Sequence, residues 1–331
     1  MTFWMAALVI WMAAGGRVGR VLVKPATTAR VAIVVAVTAV AVAVTVSIPE
    51  VAVAVDHLLP GGIDGIPLGD RVTGAAWLEF AVATSVVAAA AWPVVSRRNL
   101  RTIAWSIHLA GLLAVGATIG WSMLCGFVIT VLACGFIAVT GLRNLDWTAL
   151  GRGIALYTAG TVAVGALAAL SIRRLLLGRA PARPGAPGWF WPAWLVAGVV
   201  IAVGAVWIVI ELWARARLLL RRIRALHRTL VGRFPEVVAR EGTGSTTQLK
   251  ASDQVTQIMD AMYLQSGSGV ELVPLGPPPI SIGERANLVA RWAHDPSGGV
   301  ALDARWLAPP EGLSPRGWVR AIARAFRKTG G

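Results

Sequence analysis

Long, uninterrupted runs of apolar residues dominate residues 1–213, and neither a strand-like period of two nor a single amphipathic stripe stands out. A helix needs about 20 consecutive apolar residues to cross a hydrocarbon core of about 30 Å. Runs of about that length recur through this region and predict an all-α, polytopic transmembrane bundle. The seven predicted spans cover residues 2–19, 31–48, 72–95, two spans within 102–142, 148–172 and 190–213.

Local breaks in this pattern set some of the span limits. The apolar stretch 102–142 is about twice as long as one crossing needs, so we divide it near Ser122–Gly126. Pro49 ends or kinks the second span, because proline lacks a backbone N–H and clashes with the preceding turn. Arg17 and Arg20 follow the first apolar run instead of preceding it, which predicts an uncleaved span and not a signal peptide.

After Trp213 the pattern changes to amphipathic helices with basic faces. We therefore predict two domains, the bundle at 1–213 and a basic, mainly helical tail domain at 214–331. The tail begins with a continuation of the last span that stops at Phe234-Pro235. Three more helices are predicted, over 252–264 with Ser252 as N-cap, from the capping box Ser281–Glu284 to His294, and from Ser314-Pro315 to Lys328.

The composition supports a membrane protein. Of the 331 residues, 56% are hydrophobic and only 14% are charged, whereas a soluble domain carries about 25% charged residues. The net charge of +15 would suit either nucleic acid or anionic lipid. Because the basic residues flank the apolar spans and fill the tail, without any nucleic-acid-binding motif, we expect the lipid bilayer and its anionic lipids as partners, and not nucleic acid.

The charge of the connecting segments predicts the orientation in the cell membrane. Cytoplasmic loops favour Lys and Arg. The loops 17–30 and 97–101 and the tail are basic, whereas the loop 56–71 holds three aspartates. An N-terminus outside the cell and a cytoplasmic tail satisfy all four. The segment 173–188 disagrees with this scheme, because its arginines would lie outside.

Several stretches of the chain resemble one family. They are Ile48–Leu58 followed by Gly65-Ile66-Pro67, Arg143–Gly153 followed by Gly160 and Gly165, Leu226–Pro235, and Gln254–Met262 with Asp260. Together they resemble a family of actinobacterial membrane proteins that are described as transporters and carry a C-terminal domain of unknown function. The resemblance implies seven spans, an outside N-terminus and a cytoplasmic tail. The chain departs from the family at Thr256-Gln257, where the family is rich in arginine and glutamate.

Ionisable residues at membrane depth are costly and are therefore candidate functional residues. Three fall within the predicted spans: Glu79, His108 and Arg152. They are candidates for a proton or cation site. The alternative is a structural pair, or side chains that reach the headgroups, because all three are predicted near span ends. Three residues after the second span are further candidates, since a broken helix beside an acid is typical of transporter sites: Pro49, Glu50 and Asp56.

The last predicted helix has an apolar stripe and a basic stripe. The basic positions are Arg316, Arg320, Arg324, Arg327 and Lys328. This pattern is typical of a helix that lies on the anionic cytoplasmic leaflet. The alternative is a helix packed on the tail domain, with its basic face in solvent.

No known catalytic motif accompanies these features. The sequence contains no Gly-rich phosphate loop, nucleophile elbow or HExxH, so we expect no catalytic residues. The histidines are scattered, and Cys125 and Cys134 point to opposite sides of a helix, so we expect neither a metal, a cofactor nor a disulfide. Two functions stay open: a regulatory or scaffolding protein whose cytoplasmic tail binds a protein partner, or a transporter of a small solute or ion.

Overall fold

The computed structural model describes residues 2–23, 27–92, 97–178, 188–238, 246–267, 279, 281–295, 302 and 304–329. These residues form an all-helical fold, and none of them belongs to a β-strand. The chain divides into two compact units, residues 1–208 and residues 209–331. The boundary predicted from the sequence, at 213, lies five residues further along the same helix.

The first unit is a bundle of long apolar helices. They are α1 (Thr2–Val23), α2 (Thr28–Val46), the short α3 (Pro49–Asp56), α4 (Leu68–Ala90), α5 (Arg97–Gly120), α6 (Met123–Arg143), α7 (Ala149–Leu176) and α8 (Phe190–Arg233), whose last part belongs to the second unit. Among the described residues, six helices are long and apolar enough to cross a membrane, namely α2 and α4 to α8. The apolar part of α1, Phe3–Gly19, is shorter. The bundle is therefore compatible with a multi-pass membrane protein.

Two predicted breaks are confirmed. The stretch 102–142 is interrupted at Trp121–Ser122, where α5 ends and α6 begins. Pro49 stands at the first position of α3, where its missing N–H costs no helical hydrogen bond. The loop predicted over 173–188 begins later, because α7 continues to Leu176, and residues 179–187 lie outside the described part of the chain.

The predicted start of the third span at residue 72 is wrong. Helix α4 begins at Leu68, four residues earlier, and Asp56 explains why it can. The Asp56 carboxylate accepts a hydrogen bond of 2.7 Å from the Gly69 N–H and so satisfies one of the free donors of the first turn. The predicted end of the span, at Val95, lies outside the described residues.

Helix α4 is the central helix of the bundle. In the most apolar stretch of α4, 83% of the residues are buried. In the corresponding stretch of α5 only 17% are buried, so α5 lies at the periphery of the bundle. Trp77 of α4 contacts Trp194 of α8 at 5.0 Å between ring centroids and Phe80 at 5.9 Å. Aromatic groups at such distances add attraction beyond the apolar area they bury. Trp77 thus joins α4 to α8 through an aromatic contact in the core of the bundle.

The second unit has a hydrophobic core of its own. It contains the end of α8, α9 (Thr247–Gln265), α10 (Ile282–His294), α11 (Ala304–Leu307) and α12 (Pro315–Thr329). As predicted, α8 ends just before Phe234-Pro235, and the Ser281 hydroxyl caps α10 by accepting from the Glu284 N–H. The predicted N-cap Ser252 is wrong, because α9 begins five residues earlier and Thr246 caps it.

Candidate functional site

Glu79 and His108 lie close enough on α4 and α5 for their charges to interact. Glu79 is eleven residues from each end of α4, and His108 is eleven residues from one end of α5 and twelve from the other. Both side chains are half-buried. Both residues thus lie near the middle of their helices, while their depth in a membrane stays a prediction. A carboxylate and an imidazole at the mid-point of two apolar helices can hold or exchange a proton.

Arg152 lies on another helix, in the first turn of α7, where its side chain is exposed. That turn is built by Asp146 and Thr148. Thr148 caps α7 through the Gly151 N–H at 3.1 Å, and its own backbone and side chain donate to the Asp146 carboxylate. These hydrogen bonds lower the pKa of Asp146. A Cβ on Gly151 would lie 2.1 Å from a carboxylate oxygen of Asp146, so the turn requires glycine there.

The three loop candidates have different surroundings. Pro49 and Glu50 form the exposed first turn of α3, where a carboxylate suits the positive end of the helix. Asp56, at the end of the same helix, is half-buried and holds the start of α4. The arrangement of these three residues has a structural explanation in helix capping.

Arg71 is a buried cation that the sequence reasoning missed. Its side chain is 1% exposed and donates hydrogen bonds to the carbonyl groups of Thr118, at 3.2 Å, Ile119, at 2.9 Å, and Ile63, at 2.8 Å. Asp64 lies 3.5 Å away as an ion-pair partner. Carbonyl groups at a helix C-terminus carry partial negative charge, so Arg71 closes the end of α5. The hydropathy pattern placed Arg71 in a loop and gave no sign of its burial.

The bundle contains a cavity of about 340 Å³. Its wall combines late residues of α1, α4 and α6 with early residues of α2 and α7, so α1, α4 and α6 run opposite to α2 and α7. Gly204, Ala205 and Ile208 of α8 complete the wall. The lining is mainly apolar, but it includes Arg17 and a hydrogen bond of 2.7 Å between the hydroxyl groups of Thr84 and Tyr157. Glu79, His108 and Arg152 do not line it. A cavity of this size and lining suits a small amphipathic molecule.

The last helix, α12, buries its apolar stripe inside the second unit. Trp318, Val319 and Ile322 are fully buried in the core of that unit, so this stripe is not available to insert into a leaflet. All five predicted basic residues remain exposed: Arg316, Arg320, Arg324, Arg327 and Lys328. Arg327 also donates to the backbone carbonyl of Arg222 at 3.2 Å and ties α12 to α8.

Arg285 is the second buried cation that the sequence did not reveal. It donates to the carbonyl groups of Arg305, Trp306 and Ala308, and its guanidinium lies 5.3 Å from the ring centre of Trp318. Burial lowers the pKa of this guanidinium. Arg285 therefore closes the end of α11 much as Arg71 closes the end of α5.

Within the described residues, no group of three His, Cys, Asp or Glu side chains is arranged to hold a metal ion, and both cysteines are free thiols. Comparisons with protein-family models, with curated proteins and with solved structures find no match. The family resemblance noted from the sequence stays a prediction. Functional conclusions therefore rest on the geometry of this chain alone.

Proposed function

We propose that the chain is a multi-pass protein of the cell membrane with seven spans, in which α1 is the first. Under this proposal the N-terminus lies outside and the second unit lies in the cytoplasm. The alternating direction of the helices around the cavity supports the scheme, as do the three aspartates of the segment 56–71, which the scheme places on the outer side. Arg173 and Arg174 are the exception, since they would lie outside.

We further propose a regulatory or scaffolding role, in which the bundle anchors the C-terminal unit and that unit binds a cytoplasmic protein. The observation that carries this proposal is the separate core of the second unit, with Trp318 and Ile322 buried and charged residues outside. A unit with its own core can present a binding surface independently of the bundle. In addition, none of the three ionisable candidates lines the cavity of the bundle.

Photo-crosslinking in living cells tests this role. A benzophenone amino acid is introduced at exposed positions of the second unit, Leu249 and Tyr263, and as a control at Leu112, which is exposed on α5. We expect a discrete crosslinked protein from the second unit and none from Leu112. The absence of any protein adduct from Leu249, Tyr263 and other exposed positions of α9, α10 and α12 would overturn the proposal.

The pair Glu79 and His108 favours a second candidate function, transport of a small solute or ion. A titratable pair at the middle of two apolar helices is a candidate proton step, and the cavity offers room for an amphipathic solute. Proton flux into proteoliposomes measures this function directly. We expect flux that is lost in Glu79→Gln and kept in Glu50→Gln, whose side chain is exposed on α3. Equal flux in empty liposomes or in Glu79→Gln would exclude a role for the pair.

A further inference from the structure

The second unit contains a cleft of about 530 Å³ whose wall is strongly basic. Three helices form it: the part of α8 from Leu212 to Arg222, the start of α9 at Gln248 and Ala251, and the start of α12 from Ser314 to Arg320. All of these residues belong to the same unit. We name this feature the arginine cleft.

Four arginines line the arginine cleft, and no acidic residue does: Arg215, Arg222, Arg316 and Arg320. Within the described part of the chain, only Arg215 of the four has an ion-pair partner, Glu211, one turn earlier on α8. Like charges that share a cleft repel each other, and a bound anion relieves that repulsion. The cleft is therefore built for a ligand with negative charge.

The other lining residues narrow the class of anion. Guanidinium groups match the oxygens of a phosphate with paired hydrogen bonds. The Ser314 hydroxyl accepts from the Gly317 N–H at 3.2 Å and can still donate its own proton to a ligand. Leu212, Leu218 and Leu219 of α8 add apolar side chains to the lining. This combination suits a phosphate ester that carries an apolar group.

The position of the cleft along α8 points to the source of such a ligand. The long apolar run of α8 ends at Trp213. Arg215 follows about 3 Å along the helix and Arg222 about 14 Å, whereas lipid headgroups occupy roughly the first 5–8 Å beyond the hydrocarbon core. If α8 crosses the bilayer, the end of the cleft at Arg215 lies at the depth of the headgroups, and the cleft extends beyond them to Arg222. The inference rests on that span and not on the regulatory role.

We propose that the arginine cleft binds the phosphate ester of an anionic phospholipid, with the arginines on the headgroup and Leu212 beside the glycerol and upper acyl chain. This differs from a helix that lies on the leaflet, because the apolar stripe of α12 is buried in the unit. Only Arg316 and Arg320 of the five basic residues of α12 line the cleft; Arg324 and Lys328 do not. The helix therefore supplies its own matched control.

The test measures binding of short-chain lipids to the full chain in detergent micelles by native mass spectrometry and thermal shift. The probes are dioctanoyl phosphatidylglycerol, the zwitterionic dioctanoyl phosphatidylcholine, and glycerol phosphate. We expect phosphatidylglycerol to bind. Its affinity should fall by about tenfold or more in Arg316→Gln/Arg320→Gln and change by less than about twofold in Arg324→Gln/Lys328→Gln, which removes the same charge.

The outcomes separate the possibilities. Equal losses in the two double variants would overturn the site, because net charge alone would then explain binding. If glycerol phosphate binds as tightly as phosphatidylglycerol, the ligand is a soluble phosphate ester and the assignment to a lipid is overturned. Arg222→Gln, on α8, should also weaken the binding of phosphatidylglycerol. This variant takes the place of Arg316→Gln/Arg320→Gln if that double variant fails to fold. If phosphatidylglycerol binds as expected but the photo-crosslinking experiment yields no protein adduct, the regulatory role is rejected and the lipid site in the arginine cleft is retained.

Discussion

The bundle and the second unit each bury an apolar core, but they differ in how many large apolar residues they expose. On the bundle, Leu112 is 66% exposed and Leu132 is 69% exposed, and charged residues are scarce. In the second unit, Trp318 and Ile322 are completely buried and the arginines of α12 cover the outside. Extended apolar surface of this kind is typical of a protein that faces lipid, whereas a buried core under a charged surface is typical of one that faces water. The difference therefore supports the proposal that the chain is folded for two solvents, lipid around the first unit and water around the second.

Despite this difference, the two units share one device. Arg71 in the bundle and Arg285 in the second unit are both buried, and each donates to several backbone carbonyl groups where another helix ends. A buried cation is tolerable when hydrogen bonds replace its water. The same device therefore closes helix ends in both units.

The largest expected effect compares two tryptophans in the two environments. Trp318→Ala should destabilise the second unit by about 3–5 kcal/mol, because it removes a buried ring from a packed core. Trp105→Ala, at a position 68% exposed on α5, should cost less than about 1 kcal/mol, since lipid or detergent fills the space. Denaturant unfolding of the full chain in micelles measures both. Similar losses of unfolding free energy in Trp318→Ala and Trp105→Ala would contradict the proposed difference between the two units.

A charge placed on an exposed leucine should have the next largest effect. Leu112→Asp puts a carboxylate into the hydrocarbon region and should cost about 2.5–3.5 kcal/mol of insertion free energy. Leu249→Asp, at an exposed position of α9, should change stability by less than about 0.5 kcal/mol. The membrane-inserted fraction and the melting temperature report the two effects. Normal insertion of Leu112→Asp would mean that α5 faces water.

A smaller effect tests where α9 begins. Thr246→Ala removes the hydroxyl that accepts from the Leu249 N–H and should cost about 0.5–1 kcal/mol. Ser252→Ala, at the cap position predicted from the sequence, should cost little, because Ser252 lies inside the helix. Chemical unfolding of the two variants distinguishes them. A larger loss of stability in Ser252→Ala than in Thr246→Ala would indicate that α9 begins at Ser252.

The smallest effect concerns pH. The folded-state pKa of Asp146 is lowered by hydrogen bonds from Thr148, so its contribution to stability is complete above the unfolded pKa of about 3.9 and is lost as the pH falls through the folded value. Asp146→Asn should therefore lower the melting temperature at pH 7, and the difference from the unchanged protein should shrink as the pH falls below about 3.9. A difference that persists unchanged in acid would contradict this role of the carboxylate.

Hydropathy predicted the helical class, the break between α5 and α6 and the helices of the tail, because these follow from run length, proline and capping residues. It placed the start of α4 too late, since the cap that extends α4 comes from Asp56, thirteen residues away in sequence from Gly69. Hydropathy also missed the burial of Arg71, because its hydrogen-bond acceptors at Thr118 and Ile119 lie far away in sequence. The cavity and the arginine cleft each join several helices, and a single sequence does not reveal which helices meet.

The central claim is that the apolar helices of the first unit lie in lipid while the second unit lies in water. Spin labels test this claim when they are attached at Leu112→Cys and Leu249→Cys in a Cys125→Ala/Cys134→Ala background. With the protein reconstituted in bilayers, the relaxation of each label is measured with oxygen, which concentrates in lipid, and with a nickel chelate, which stays in water. The account predicts that oxygen dominates at position 112 and nickel at position 249. Relaxation of the label at 112 mainly by nickel would contradict it.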